Sequence, residues 1–273
     1  MLITRTPLRV SFCGGGTDLA AFYREHAQGG AVTSLALGRH IYVTVNQRFD
    51  DSVRISYSSM EIVDDFEELK HELVREAMRT TGVTSGVEIT TIADIPSRGT
   101  GLASSSSVTV GLLHALHAFA GGAPDAAQLA EEACRIEIDV LGGTIGKQDQ
   151  YAAAFGGVNR ISFHADESVM VSPLSLSDDV RAAIPGSFCL VYTGQTRQAG
   201  DILVEQAANT EARMDELVRM RGMAGEVATA LEEGDFAAVR TQLAEGWRRT
   251  QGLASCIPST CFDYTYSLAA CLA

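Results

Sequence analysis

Residues 96–119 read PSRGTGLASSSSVTVGLLHALHAF, a glycine- and serine-rich segment followed directly by an apolar one. The apolar residues recur at helical spacing, at Val108, Leu112, Ala115 and Phe119. This spacing predicts a packed helix behind a loop. Glycines allow a backbone to approach a ligand closely, and the first turn of a helix leaves N–H groups directed at an anion. Serine hydroxyls add helix caps or ligands for a phosphate-bound metal. The segment predicts a phosphate-binding loop, with an ordinary serine-rich cap as the alternative.

The loop differs from the better-known nucleotide and catalytic motifs. The only Gly-Lys pair, Gly146-Lys147, is followed by Gln148 and not by a hydroxyl residue, so no Walker-type P-loop is present. GTGLAS at 99–104 lacks the third glycine of a dinucleotide fingerprint. No G-x-S-x-G elbow, HRD or DFG signature occurs, which argues against a serine hydrolase and a protein kinase.

The amino-acid composition and net charge limit the classes of molecule that the chain is expected to bind. The chain has 273 residues, 46% of them hydrophobic, with a net charge of −13 and a pI of about 4.8. Nucleic acids and anionic membranes require clustered positive charge, so neither is expected as a partner. A phosphate would be held locally by N–H groups, a few cations and a divalent metal.

The apolar segments and the cysteines of the chain each support one prediction. The first twelve residues carry arginines within short apolar segments, and no run of about 18 apolar residues occurs, so a cytoplasmic location is expected. The six cysteines form no C-x-x-C pair and are interpreted as structural thiols.

The first half of the chain alternates strand-like and helix-like segments, which predicts an α+β fold. Strands are expected at 8–12, 31–37, 40–49 and 86–95, and a helix across 67–81 ends near Gly82. Further helices are expected at 125–141, 199–231 and 236–247, and a strand at 187–194. Turn residues between 166 and 185 predict a boundary that divides the chain into domains 1–175 and 186–273.

Two acidic residues stand out by position. Glu137 projects opposite the charged face of its predicted helix, where a carboxylate requires a cation, a metal or neutralisation unless it is a satisfied helix-end glutamate. Asp149 follows a glycine-rich turn that aims it into a cleft or makes it an N-cap. Asp18, after three glycines, either caps a helix or binds ligand hydroxyls.

Three motifs together resemble the GHMP kinases of small molecules, in their residues, order and spacing. They are TPLRVSFCGGGTDL at 6–19, IPSRGTGLASSSS at 95–107 and GGTIGKQDQYAAAFGG at 142–157. Within that superfamily, GGGTDL, SSSS, GKQDQY and YTGQTR at 192–197 are most similar to the D-glycero-D-manno-heptose 7-phosphate kinases.

This resemblance implies a two-lobed fold, with an N-terminal lobe like ribosomal protein S5 domain 2 and a ferredoxin-like C-terminal lobe. It implies ATP-dependent phosphorylation of the anomeric C1 hydroxyl of a sugar, foremost D-glycero-D-manno-heptose 7-phosphate, with ATP and Mg²⁺ as cofactors. The implied partners are a sugar phosphate and ATP, and a homo-oligomer is left open.

The resemblance also assigns roles to residues. Asp149 is the base or orienting carboxylate, and Arg9 stabilises the transferring phosphoryl group or keeps that base ionised. Ser105 and Glu137 are the Mg²⁺ ligands. ATP binds at Pro96, Arg98, Gly99, Gly101, Leu102, Ala103, Ser104, Ser105, Ser106 and Ser107. The sugar phosphate binds at Gly15, Gly16, Thr17, Asp18, Lys147, Gln148 and Arg197.

The chain departs from the family at two places. After Ser255 it has no glycine, whereas the family carries a glycine-rich third motif there, so a truncated C-terminal lobe with doubtful activity is expected. Ala103 stands where the family's loop has a glycine. A fucose or galactose kinase, or a non-catalytic member, is the alternative interpretation.

Overall fold

The computed structural model describes residues 1–95, 101–191, 199–255 and 257. The chain forms two compact units, each assembled from separate segments. Unit 1 comprises Met1–Val10, Ala36–Gly143 and Asp149–Gly157, and unit 2 comprises Ser11–Leu35, Thr144–Gln148 and Val158–Ala273. The domain boundary expected between 175 and 186 stays a prediction.

Two long strands supply residues to both units. Strand β1 is Leu2–Cys13, and strand β2 is Gly30–Gln47. The two strands predicted at 31–37 and 40–49 are thus one, and that prediction is wrong. Gly38 lies between the two halves without the positive φ that a glycine turn uses, so the chain stays extended through it.

Unit 1 is a sheet covered by helices. Its further strands are β3 (Val53–Ser56), β4 (Met60–Val63) and β5 (Val87–Ala93). The strand order is β4-β3-β5-β2, with β3 parallel to β5 and the other neighbours antiparallel. Val45 lies opposite Ile89, and both are buried. Alternate residues of these strands therefore face the core, as a half-buried sheet requires.

The helices of unit 1 are α2 (Glu72–Thr81), α3 (Ser104–Phe119), α4 (Ala126–Cys134) and α5 (Gln148–Phe155), whose first residue belongs to unit 2. A π-helix, Arg135–Val140, continues α4. Helix α2 ends at Gly82 with φ 71°, which confirms the predicted end. Helix α3 packs between α2 and α4, with Leu112, Leu113 and Leu116 fully buried. The predicted apolar support behind the loop is confirmed.

Unit 2 pairs the first residues of β2 with β6 (Val158–Phe163), followed by β7 (Val169–Pro173). Its helices are α1 (Ala20–Tyr23), α6 (Asp178–Ser187), α7 (Ala199–Ala208), α8 (Met214–Glu233) and α9 (Phe236–Thr250). A short 3-10 helix, Glu211–Arg213, precedes α8. Helices α8 and α9 pack on each other and α8 contacts β6. The expected helices at 199–231 and 236–247 are confirmed, apart from the interruption between α7 and α8.

The strand expected at 187–194 is wrong for the part that the structure describes. Ser187 ends α6, and residues 188–191 have no regular secondary structure. The aromatic ring of Phe188 packs between those of Phe12 and Phe236, so this apolar residue serves a helix-packed core and not a sheet. No helix within the described ranges is long and apolar enough to cross a membrane.

Candidate functional site

A buried carboxylate lies at the centre of unit 1. The Glu137 side chain is only 5% exposed, and three side chains donate hydrogen bonds to it. Ser106 Oγ donates to Oε2 at 2.7 Å, Thr109 Oγ1 donates to Oε1 at 2.5 Å, and the Gln150 amide donates to Oε2. All three donors are uncharged. Burial therefore raises the pKa of Glu137, the three hydrogen bonds offset this only in part, and nearby Asp149 adds to the increase.

The π-helix explains how this glutamate reaches the interior. Arg135 and Asp139 are exposed, whereas Ile136 and Glu137 are buried. The amide of Leu141 donates to the carbonyl of Ile136, the five-residue spacing of a π-turn. The predicted opposition between Glu137 and the charged helix face is confirmed.

An arginine joins the glycine-rich loop to the second acid. Arg9 on β1 donates from Nε to Asp149 Oδ1 at 2.8 Å, and its Nη2 forms an ion pair with the same oxygen. Its Nη1 donates to the carbonyl of Gly101 at 2.9 Å, and its backbone N–H donates to that of Leu102. The Asp149 side chain is 27% exposed. Arg9 thus fixes both the loop and the carboxylate in place.

Helix α5 brings the two acids into one site. Asp149 in its first turn meets Arg9, and the next residue, Gln150, meets Glu137. The structure therefore collects residues from four separate segments of unit 1, namely Arg9, Gly101, Ser106, Glu137 and Asp149.

The serine that contacts Glu137 is not the one predicted. Ser105 is exposed, whereas Ser106 is 1% exposed and donates to the glutamate. Ser106 and Thr109 are three residues apart and share a face of α3, and a 100° step per residue turns Ser105 away from it. Ser104 is half-buried and Ser107 donates to the carbonyl of Pro7. The role assigned to Ser105 stays a prediction, but the observed contact belongs to Ser106.

Helix α3 begins from an unusual backbone conformation. Ala103 precedes its first residue with φ 63°, in the left-handed region that favours glycine. This accounts for the glycine that the resembling family has at this position. Pro96, Arg98, Gly99 and Arg197 fall outside the described residues.

The glycine-rich turn at 14–18 lies in unit 2. Gly14 and Gly16 have φ of 97° and 93°, and a Cβ at Gly14 would lie 2.0 Å from the carbonyl oxygen of Ala31. The Thr17 hydroxyl donates to Gly14 at 2.7 Å and also bonds Ala31. Thr17 is fully buried and serves the turn itself.

Asp18 is buried in the same turn. Its Oδ1 accepts from the Gly16 N–H at 2.9 Å and its Oδ2 from the Gln148 N–H at 3.4 Å. The alternative that Asp18 caps a helix is wrong, since Leu19 is the N-cap residue of α1 and no side chain caps that helix. A Cβ at Gly146 would lie 1.8 Å from Oδ2, so only glycine fits there.

Lys147 forms an ion pair with Glu167, a residue that the sequence did not predict at the site. Its Nζ lies 2.6 Å from Glu167 Oε2 and 5.2 Å from the centroid of the Tyr23 ring. Arg24 and the Tyr23 hydroxyl also donate to Glu167. Burial would raise the pKa of Glu167, but the bonds from Lys147, Arg24 and Tyr23 outweigh it and lower the pKa to about 2.

Gln148, also predicted at the site, accepts a hydrogen bond from Ser11 Oγ. Gly15 lies near its amide, with 3.8 Å between Gln148 Nε2 and a Cβ built on the glycine. Of the residues that were missed, Thr109 could have been found from its spacing to Ser106, and Gln150 from its place beside Asp149. Glu167 had no local signal because its partners are distant in sequence.

Comparisons with known proteins show which proteins the chain is similar to. The family described as "GHMP kinases N terminal domain" matches residues 68–157. The D-glycero-alpha-D-manno-heptose 7-phosphate kinase of Campylobacter jejuni is 27% identical, over 97% of this chain and 82% of the relative. The crystal structure of a D-glycero-D-manno-heptose 1-phosphate kinase from Bacteroides thetaiotaomicron is similar with a TM-score of 0.79 and 24% identity, over 92% of this chain and 79% of that one.

A putative sugar kinase from Campylobacter jejuni is similar with a TM-score of 0.71 and 25% identity, over 90% of this chain and 76% of that one. The expected GHMP kinase fold is thus confirmed over most of the chain. Residues 68–157 thus match the N-terminal domain of the GHMP kinases, and the chain has the GHMP kinase fold.

Proposed function

We propose that this chain is an ATP- and Mg²⁺-dependent kinase that phosphorylates the C1 hydroxyl of D-glycero-D-manno-heptose 7-phosphate. The observation that carries the proposal is the pair of acids in unit 1. Asp149 pairs with the guanidinium of Arg9, whereas Glu137 is buried among neutral donors. The names of the heptose kinases that resemble the chain supply the substrate.

The residues around Glu137 fit a magnesium ion. Among the described residues, its carboxylate has hydroxyl and amide partners and no cation. The Oε1 atom of Gln150 is also buried without a hydrogen-bond partner. Mg²⁺ prefers carboxylate, amide and hydroxyl oxygens. Glu137, Ser106 and Gln150 would hold the ion, which neutralises charge on the β- and γ-phosphates when bound.

Asp149 is suited to receive the proton of the sugar hydroxyl. The C1 hydroxyl oxygen attacks the γ-phosphorus, its proton passes to an Asp149 oxygen, and the bond to ADP breaks. Arg9 leaves one carboxylate oxygen of Asp149 without a bond from its guanidinium, because both of its contacts are to Oδ1. Positioning and electrostatics carry most of such a transfer, so Asp149 needs only to accept the proton late in the step.

The phosphates of ATP are assigned to the loop and first turn of α3. The N-terminal N–H groups of that helix and the backbone at 101–107 provide donors for an anion. Arg9 braces this loop through Gly101. The sugar is assigned to the 14–18 turn, where Asp18 is a buried acceptor for hydroxyl groups. Lys147 is assigned to the sugar phosphate, which would share this cation with Glu167.

An ADP-release assay over a sugar panel tests the proposal. We expect turnover of the heptose 7-phosphate that requires Mg²⁺, with phosphorus NMR placing the new phosphate on C1. Turnover of galactose or fucose alone would move the assignment to another branch of the family. ATP binding without turnover of any sugar would overturn the proposal.

A further inference from the structure

A cavity of about 260 Å³ lies within unit 2, beside the turn assigned to the sugar. The end of β1 and the residues that follow it form one wall, which includes Ser11 and Gly15. Met220 and Met223 of α8 line a second wall. Pockets for drug-sized ligands start at roughly 300 Å³, so this cavity suits a smaller molecule such as one sugar ring.

One face of α9 forms the third wall. Its lining residues lie at i, i+3, i+4 and i+7 of the helix, at Leu243, Gly246, Trp247 and Thr250. Such a stripe on a surface helix normally packs into a core. Here two of its four members are a glycine and a threonine, and Trp247 is only half-buried. Leu243 and Trp247 each pack against a hydrophobic cluster of unit 2, and both also line the cavity together with Gly246 and Thr250.

Gly246 has no packing requirement of its own. A Cβ there would lie 3.5 Å from Cys13 Sγ and 3.6 Å from Met223 Cε, which are ordinary contact distances. Alanine would thus fit, and it would favour the helix more than glycine does. A methyl group at this position would therefore contact Cys13 and Met223, which line the cavity together with Gly246.

We propose that this cavity holds the ring of the acceptor sugar, with Trp247 as the residue that packs against it. The C–H face of a sugar ring is apolar and matches an aromatic surface, while its hydroxyl groups match polar atoms at the cavity edge. Thr250 supplies a hydroxyl there, and the Ser11 hydroxyl, which donates to Gln148, can accept a hydrogen bond. The inference rests on the proposed function, because it places the acceptor of that reaction.

Trp247 is the single tryptophan of the chain, so all of the tryptophan emission comes from one residue that lines this cavity. We expect heptose 7-phosphate to change the emission saturably, at concentrations near its KM, and Mg-ATP alone to leave it unchanged. Trp247→Ala should raise the KM for the sugar about tenfold or more and leave the KM for ATP within twofold. Trp247→Phe should recover most of the loss.

Gly246→Ala separates a ligand role from a structural one. We expect it to raise Tm by about 2 °C through helix propensity. The same methyl group should raise the sugar KM about tenfold. Gly222→Ala is the matched control, because Gly222 lies exposed in α8 outside the cavity lining. Gly222→Ala should raise Tm and leave the KM for the sugar unchanged.

The outcomes separate this inference from the proposed function. Normal turnover with an unchanged sugar KM in both Trp247→Ala and Gly246→Ala would overturn the subsite and leave the kinase assignment standing. If the wild type phosphorylates no sugar, the proposed function fails, and the emission titration still tests whether the cavity binds a sugar. A saturable change with one sugar of the panel then supports the cavity, and no change with any sugar overturns it.

Discussion

Two glutamates, one in each unit, have opposite shifts in pKa although each accepts hydrogen bonds from three side chains. Glu137 in unit 1 is 5% exposed, accepts hydrogen bonds from neutral side chains, and has a raised pKa. Glu167 in unit 2 has a side chain that is 44% exposed, accepts from a lysine, an arginine and a tyrosine, and has a pKa of about 2. Each therefore has three side-chain donors, and only the charge and burial differ.

The difference shows that hydrogen bonds alone do not compensate a buried charge. Neutral dipoles recover part of the lost hydration of Glu137, whereas two cations stabilise Glu167 at a site that still meets water. Glu137 thus gains from an added cation, and Glu167 already has its own. This contrast is the physical reason for assigning the metal to unit 1.

The two units also share one backbone feature. Ala103, which precedes α3, and Glu167 are the two non-glycine residues with positive φ among those the structure describes. In unit 1 the positive φ thus lies at the start of α3, the helix whose Ser106 and Thr109 contact Glu137, and in unit 2 it lies at Glu167 itself. The following experiments probe each side of the comparison.

Removing the acid of unit 1 that pairs with Arg9 should have the largest effect. Asp149→Asn keeps the shape of the side chain but cannot accept the proton, so kcat should fall about 10²- to 10⁴-fold. Steady-state kinetics measures the change. Asp50→Asn, at an exposed aspartate paired with Arg48, should leave kcat unaltered. Near-normal turnover in Asp149→Asn would remove the proposed base.

Glu137→Gln should stabilise the metal-free protein at neutral pH. The raised pKa means that folded Glu137 holds its proton more tightly than the unfolded chain does, so its contribution is favourable below about pH 4.5 and is lost as the pH rises. Glutamine does not titrate. Its Tm advantage over the wild type should therefore grow from pH 4.5 to 7, to about 2–4 °C.

Added metal should reverse that order. Mg-ATP binds the native state and should raise the Tm of the wild type, and it should stabilise Glu137→Gln much less. Equal stabilisation of both proteins, measured by differential scanning fluorimetry with and without chelator, would remove Glu137 from the metal site.

Ala103→Gly tests the strain in unit 1 alone. Glycine adopts positive φ without the steric cost that alanine has, and its greater freedom in the unfolded chain offsets part of the gain. We expect a net stabilisation of about 1 kcal/mol in urea unfolding. A loss of stability would mean that the α3 start is not strained.

Glu167→Gln should have the smallest effect, because the side chain is partly exposed and solvent screens its ion pairs. We expect a loss of about 0.5 kcal/mol at pH 7. The pKa is lowered, so the stabilisation exists above about pH 4.5 and disappears as the pH falls toward 2. The wild type and variant should converge in acid, and Glu25→Gln, at an exposed glutamate of the same unit, is the matched control.

Much of unit 1 was predictable because its signals are local. The helix pattern behind the serines, the end of α2 at Gly82 and the inward face at Glu137 all follow from periodicity within one element. The joining of two expected strands into β2 did not follow, since Gly38 carries a turn signal that the sheet pairing on both sides overrides.

The sequence by itself determined the types of residue available for phosphate, metal and proton chemistry, and the helices that carry them. Only the tertiary structure decided that Ser106 contacts Glu137 and that Glu167 pairs with Lys147, and it showed that Arg9 contacts Asp149, which was one of two roles that the resemblance implied for this arginine. The physical reason is range: helical periodicity acts over a few residues, whereas each of these contacts joins segments from 20 to 140 residues apart and depends on how whole elements pack.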